Sequence, residues 1–138
     1  MEYALDTNTM IHLMLETNSV WERSVKAQES GARLIVPPIV HYEIRRGLLI
    51  RPSRKRNMAY AIICDYCSLE DMSADAWELA AGIYAELYEK RFSVEDADIL
   101  IAAFCMANGY TLVTDNIKDF ENIEGLTVEN WVARASQN

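Results

Sequence analysis

Apolar residues in this chain fall into short continuous runs, separated by longer stretches in which they recur every three or four positions. That is the alternation expected of buried strands and amphipathic helices. Residues 2–5 predict a strand, followed by helices over about 8–16 and 18–30, the second stopped by Gly31. "RLIV" predicts a second strand, ended by Pro37 and Pro38, with a helix over about 38–50 behind it. Pro52 breaks that helix, and Ser53 caps the next, which runs to about residue 66. "CSLED" predicts a short strand. Ser73 caps a helix whose apolar stripe is read as Trp77, Ala80, Ala81, Tyr84 and Leu87. Ser93 and Asp96 have capping-box spacing at the start of a helix reaching Asn108, with Gly109 as its stop. "YTLVT" is a further strand, and "GLTVENW" supplies a last short strand or turn. Strands alternating with helices predict an α/β fold with a parallel sheet covered on both faces.

At 138 residues, about half of them apolar, the chain is expected to form a single globular domain over 1–138. No apolar run approaches the length of about 20 that a bilayer span needs, and no basic segment precedes an apolar one at the start. The expected compartment is the cytoplasm, and three cysteines fit a reducing one. Cys64 and Cys67 have half the spacing of a zinc site but lack its other half, so they are read as neighbours on an apolar helix.

Acids stand where a core is expected. Asp6 directly follows the first strand, and Asp115 directly follows "TLVT". In parallel sheets, ligands gather beyond those strand ends. Glu43 falls on the apolar stripe of its helix, one turn from Ile39, Val40 and Gly47, where a lone carboxylate is costly. It is either a site residue or the partner of a neighbouring arginine. Asp98 opens a helix that is apolar on every side from Ile99 to Met106, and the capping role given to Asp96 leaves Asp98 without one. In "TDNIKDF", Asn116 and Asp119 have capping-box spacing again, so either Asp115 or Asp119 is the remaining candidate acid.

If Asp6, Glu43, Asp98 and one of these converge, each pair at 4–5 Å repels by roughly 3–4 kcal/mol at an effective dielectric near 20. A divalent cation relieves that repulsion. Oxygen donors without His or Cys select a hard ion, Mg²⁺ or Mn²⁺, and such a site suits phosphate-ester chemistry.

"LDTN", "HYEIRRG", "DADILIAAF" and "LVTDNIKDF" with "GLTVENW" occur in the order, and over nearly the whole length, in which the PIN-domain ribonucleases carry them. The chain resembles that family, and within it the VapC toxins of toxin–antitoxin pairs. The resemblance implies a three-layer α/β/α sandwich with a mainly parallel sheet. It implies Mg²⁺- or Mn²⁺-dependent endoribonuclease action, a homodimer, and inhibition by a VapB-like antitoxin. Carried over position by position, Asp6, Glu43 and Asp98 match the family's first three acids, with Asp6 and Asp98 as metal ligands. The fourth is Asp119, with Asp115 as runner-up, because Asn116 stands where many members have their acid. Thr7 and Thr114 are candidates to supply hydroxyls, and Asn116 an amide, near the metal or the scissile phosphate.

The net charge of −8 by itself argues against a nucleic-acid partner. "RRGLLIRPSRKR", however, gathers Arg45, Arg46, Arg51, Arg54, Lys55 and Arg56 with no acid among them. Starting two residues after Glu43, this block is a candidate RNA-phosphate surface, or a contact for an acidic stretch of the antitoxin. Two other readings compete: a catalytically inactive PIN-like binding module, and an aspartate-based phosphotransfer domain. The latter would need a phosphorylatable Asp, but "DTN" is not the phosphatase "DxD", and Lys118 lies outside any strand.

Overall fold

The computed structural model describes residues 1–132. Five strands form one parallel sheet: β1 (Glu2–Leu5), β2 (Arg33–Val36), β3 (Ser68–Leu69), β4 (Thr111–Val113) and β5 (Val128–Glu129). Six α-helices accompany them: α1 (Thr7–Met14), α2 (Asn18–Glu29), α3 (Pro38–Ile50), α4 (Arg54–Tyr66), α5 (Ala74–Glu89) and α6 (Asp96–Asn108). A short 3-10 helix, Ile117–Phe120, follows β4. None of the described helices is long and apolar enough to cross a membrane.

The sheet order is β3-β2-β1-β4-β5, so β1 lies in the middle. Ala4 pairs with Ile35 on one side and with Leu112 on the other. Leu34, Ile35 and Val36 are all buried, although successive side chains point to opposite faces, so both faces are covered. The chain moves outward from β1 through β2 to β3, then returns to the other side of β1 for β4 and β5. The strand order therefore reverses between β1 and β4, and a crevice opens there at the carboxyl ends. Asp6 and Thr114 stand at those two ends.

Most helix signals hold. Ser53 and Ser73 accept the amides of Arg56 and Ala76 at 3.3 and 3.1 Å. Gly31 (φ 89°) and Gly109 (φ 71°) turn the chain left-handed just past α2 and α6, where a side chain would be strained.

Two expectations about α5 and α6 fail. Ser93 does not cap α6: the helix starts at Asp96, Glu95 is its N-cap, and no side chain caps it. Val94 packs against the core and draws the chain two residues past Ser93 before the first turn can begin. On α5 the buried stripe is Ala76, Ala80, Ile83 and Leu87, while Trp77, Ala81 and Tyr84 face outward. Two stripes one residue out of phase are both apolar here, and α6 packs on the one with the smaller side chains.

Candidate active site

Asp6 is built in from three directions. Its backbone amide donates to Val113 O at 3.0 Å, continuing the β1–β4 ladder. Oδ1 caps α1 by accepting the Thr9 amide at 2.9 Å. Oδ2 accepts the hydroxyl of Thr114, and the Thr9 hydroxyl donates to Val113 O at 3.0 Å. A carboxylate at the end of a central strand thus has a structural task, closing the strand–helix junction, and still keeps a free lone pair on each oxygen. It is only 6 % exposed. Burial pushes its carboxyl above the usual range and Asp115 adds to this, while hydrogen bonds from Thr114 and Thr9 hold it back.

Glu43 comes from the middle of α3 and is half-buried. Thr7 donates to its Oε1 at 2.8 Å, and Arg46, one turn on, faces its Oε2 at 3.5 Å. The arginine pairing considered from sequence is therefore present, and it does not remove Glu43 from the acid cluster. Asp98 lies in the first turn of α6. Its carboxyl is pushed up to about 6, first by burial and then by the charges of Asp119, Glu95, Glu43 and Asp6. The shift puts the repulsion foreseen from sequence on a named group.

Asp6, Glu43, Asp98 and Asp119 border one cavity of about 190 Å³, together with Thr7, Asn8, Ile101, Asn116 and Phe120. Asp115 is not among its walls; Asn130 Nδ2 donates to it at 3.4 Å. The expected Asn116–Asp119 capping box does not form either, since Asn116 makes no side-chain cap. Its amide instead donates to Thr114 Oγ1 at 3.0 Å, which leaves Asp119 exposed at the cavity rim. Thr114 is fully buried beneath Asp6 and does not line the cavity. Asn8 also lines the wall, and its place in "DTN", two residues after Asp6, is the signal in the sequence that points to it.

The basic block divides. Arg45 turns to α4 and donates to Asn57 at 3.3 Å, away from the acids. Arg46 sits on Glu43, with its guanidinium 5.2 Å from the Tyr42 ring. Arg51, Lys55 and Arg56 edge a groove of about 570 Å³ whose apolar walls include Ile11, Met14, Ile44 and Leu48, and which reaches Thr7 and Glu43. Arg54 is exposed at the start of α4 and is not part of that groove. His41 and His12 have local partners, Tyr60 at 2.7 Å and Thr17 at 3.2 Å.

The PIN domain family model matches residues 3–126. Ribonuclease VapC1 of Rickettsia felis is 46% identical over 125 residues, covering 88% of this chain and 91% of that protein. The tRNA(fMet)-specific endonuclease VapC of Salmonella typhimurium is 28% identical, covering 95% of this chain and 98% of its own length. Among solved structures, VapBC2 from Rickettsia felis bound to a DNA fragment from their promoter has a TM-score of 0.89 at 26% identity, over 96% of this chain and 100% of that one. The match includes all four acids of the cavity: Asp6 just past β1, Glu43 on α3, Asp98 on α6, and Asp119 in the 3-10 helix that follows β4. The chain belongs to the PIN-domain family, in its VapC group.

Proposed function

We propose that this chain is an endoribonuclease, the toxin of a VapBC-type pair, which hydrolyses RNA phosphodiesters with the help of a hard divalent cation. The observation that carries this reading is the meeting of Asp6, Glu43, Asp98 and Asp119, from four separate segments, around one small cavity at the switch point of the sheet. Its relatives, one named as a ribonuclease and one as a tRNA(fMet)-specific endonuclease, support it.

The donor set fits Mg²⁺ or Mn²⁺. It offers carboxylate, hydroxyl and amide oxygens, with no His or Cys in the cavity wall. Among the described residues, no three acidic, His or Cys side chains close around a point as a finished cage. Asp6 and Asp98 would hold the ion. When bound, such an ion lowers the pKa of a coordinated water and neutralises charge on the phosphoryl oxygens. The chain's own part is preorganisation. Thr9 and Thr114 fix the Asp6 carboxylate, Thr7 fixes that of Glu43, and the first turn of α6 presents Asp98. Glu43 and Asp119 would orient the attacking water, and Asn116 would meet the substrate at the rim.

Arg51, Lys55 and Arg56 offer cations to RNA phosphates beside the acidic cavity. The same groove, apolar inside and basic at its edge, suits an amphipathic acidic segment of a VapB-like antitoxin, which would cover Glu43 and Thr7. A homodimer belongs to this reading. Tyr42, Trp77, Tyr84 and Tyr88 are exposed rings that such contact would bury. The RNA substrate puts its place of action in the cytoplasm.

The test is incubation of the purified, partner-free chain with pooled transfer and ribosomal RNA in Mg²⁺, Mn²⁺ or EDTA, beside Asp98→Asn. Discrete fragments that disappear with EDTA and with the variant are expected. Intact RNA in every metal, from folded protein, would favour a binding module instead.

A further inference from the structure

Glu43 has both carboxylate oxygens engaged, but unequally. Thr7, a neutral donor, holds Oε1 at 2.8 Å. Arg46 faces Oε2 at 3.5 Å, a loose contact, and its side chain is 54% exposed against 21% for Glu43. Glu43 also borders the cavity of Asp6, Asp98 and Asp119, so Arg46 stands as a cation beside that acidic pocket without being one of its walls. A divalent cation and a guanidinium compete for such a site, because two like charges within a few ångströms repel.

The neighbourhood gives Arg46 somewhere to go. Its guanidinium already lies 5.2 Å from the centre of the Tyr42 ring, a favourable face for a cation. A cleft of about 520 Å³, lined by Tyr42, Arg46, Trp77 and Leu100, opens beside Glu43. Exposed ion pairs are weak, so the exchange is easy. Thr7 carries no charge and can stay on Glu43 throughout.

Granted the divalent-cation reading above, we propose that Arg46 is a displaceable counter-ion: it pairs with Glu43 in the ion-free protein and yields it when a divalent cation enters the pocket. Arg46 is then a positioning residue that sets the pocket's affinity for the ion, and once released it stands beside the site as a free phosphate-binding fork.

Mn²⁺ titration of the partner-free, RNA-free protein by calorimetry tests this without any turnover. Arg46→Gln should bind Mn²⁺ roughly two- to fivefold more tightly than wild type, the size of an exposed ion pair. Arg46→Lys, which keeps the charge, should stay near wild type. In a Glu43→Gln background, adding Arg46→Gln should tighten binding less than it does in wild type, since the pair is already broken. Arg46→Met, checked by circular dichroism, stands in if the glutamine variant folds poorly. Unchanged or weaker Mn²⁺ binding by the charge-removing variants, with a wild type that binds, would overturn the counter-ion role alone. A wild type that binds no Mn²⁺ would overturn the cation reading and the counter-ion with it.

Discussion

Thr114 donates its hydroxyl proton to Asp6 Oδ2 and so ties the end of β4 to the end of β1. Thr114 Oγ1 in turn accepts the Asn116 backbone amide at 3.0 Å, and the Asn116 carbonyl accepts the Asp119 amide at 3.0 Å. One side chain therefore holds the first acid of the cavity and starts the turn that delivers the last.

Replacing Thr114 with Val, nearly the same in shape, should remove both bonds at once. Leaving a buried carboxylate oxygen and a backbone amide short of a partner costs about 1–3 kcal/mol. A lower thermal midpoint for Thr114→Val, and near-recovery for Thr114→Ser, is the expected outcome of a melting series. Equal stability of all three would mean that the link contributes nothing.

Asp98→Asn should separate stability from activity. The carboxyl pushed up to about 6 by burial and by four neighbouring acids is a source of strain at neutral pH. Removing its charge should stabilise the ion-free protein by about 1–2 kcal/mol, the shift being discounted for solvent screening at a half-buried group. RNA cleavage should fall at least a hundredfold. Denaturant unfolding in EDTA and a cleavage assay in Mg²⁺ read the two effects.

The pH dependence has a definite sign. Asp98 has its pKa raised from 3.8 to about 6, so the folded state binds its proton more tightly than the unfolded state does. The associated stability is present in full below about pH 4 and is lost as pH rises to about 6. Asp6, also raised, pushes the same way. The ion-free protein should therefore lose stability between about pH 4 and 6. Asp98→Asn should flatten that slope, and Mn²⁺ should restore stability above it. Thermal melts in EDTA across this range, with and without added Mn²⁺, decide the matter.

Two serines that look alike in sequence should behave differently. Ser73 accepts the Ala76 amide at 3.1 Å, whereas Ser93 lies outside α6 and caps nothing. Ser73→Ala should cost about 1 kcal/mol and Ser93→Ala close to none. Equal losses would place a cap where the structure has none.

That contrast marks what a sequence can reveal. Asp6, Glu43 and Asp98 were legible because each is a carboxylate at a strand end or on an apolar helix face, where solvation cannot explain it. Ser53 and Ser73 were legible because capping is decided within four residues. Ser93 was not, because the start of α6 is set by the burial of Val94, a tertiary event. The outward turn of Trp77 and Tyr84 was hidden for a similar reason, since two adjacent stripes of α5 are apolar and only packing on α6 chooses between them. Asp119 could not be separated from Asp115 by spacing. The difference lies in the Thr114–Asn116 bond, which aims the turn. The basic block read as one surface, yet Arg45 turns inward to Asn57 while Arg46 turns to Glu43.

The central strand β1 precedes its neighbour β4 by more than a hundred residues. During synthesis, Asp6 leaves the ribosome more than a hundred residues before Val113 and Thr114, and must wait for them before it is held in place. Asp98 and Asp119 emerge just before and just after them. A growing chain therefore cannot assemble its cutting edge piecemeal, and long-range strand pairing of this kind is slow to form. For a protein that would attack RNA, this order of emergence is a safeguard: Asp6 stays unheld until the residues that complete the weapon have followed it out.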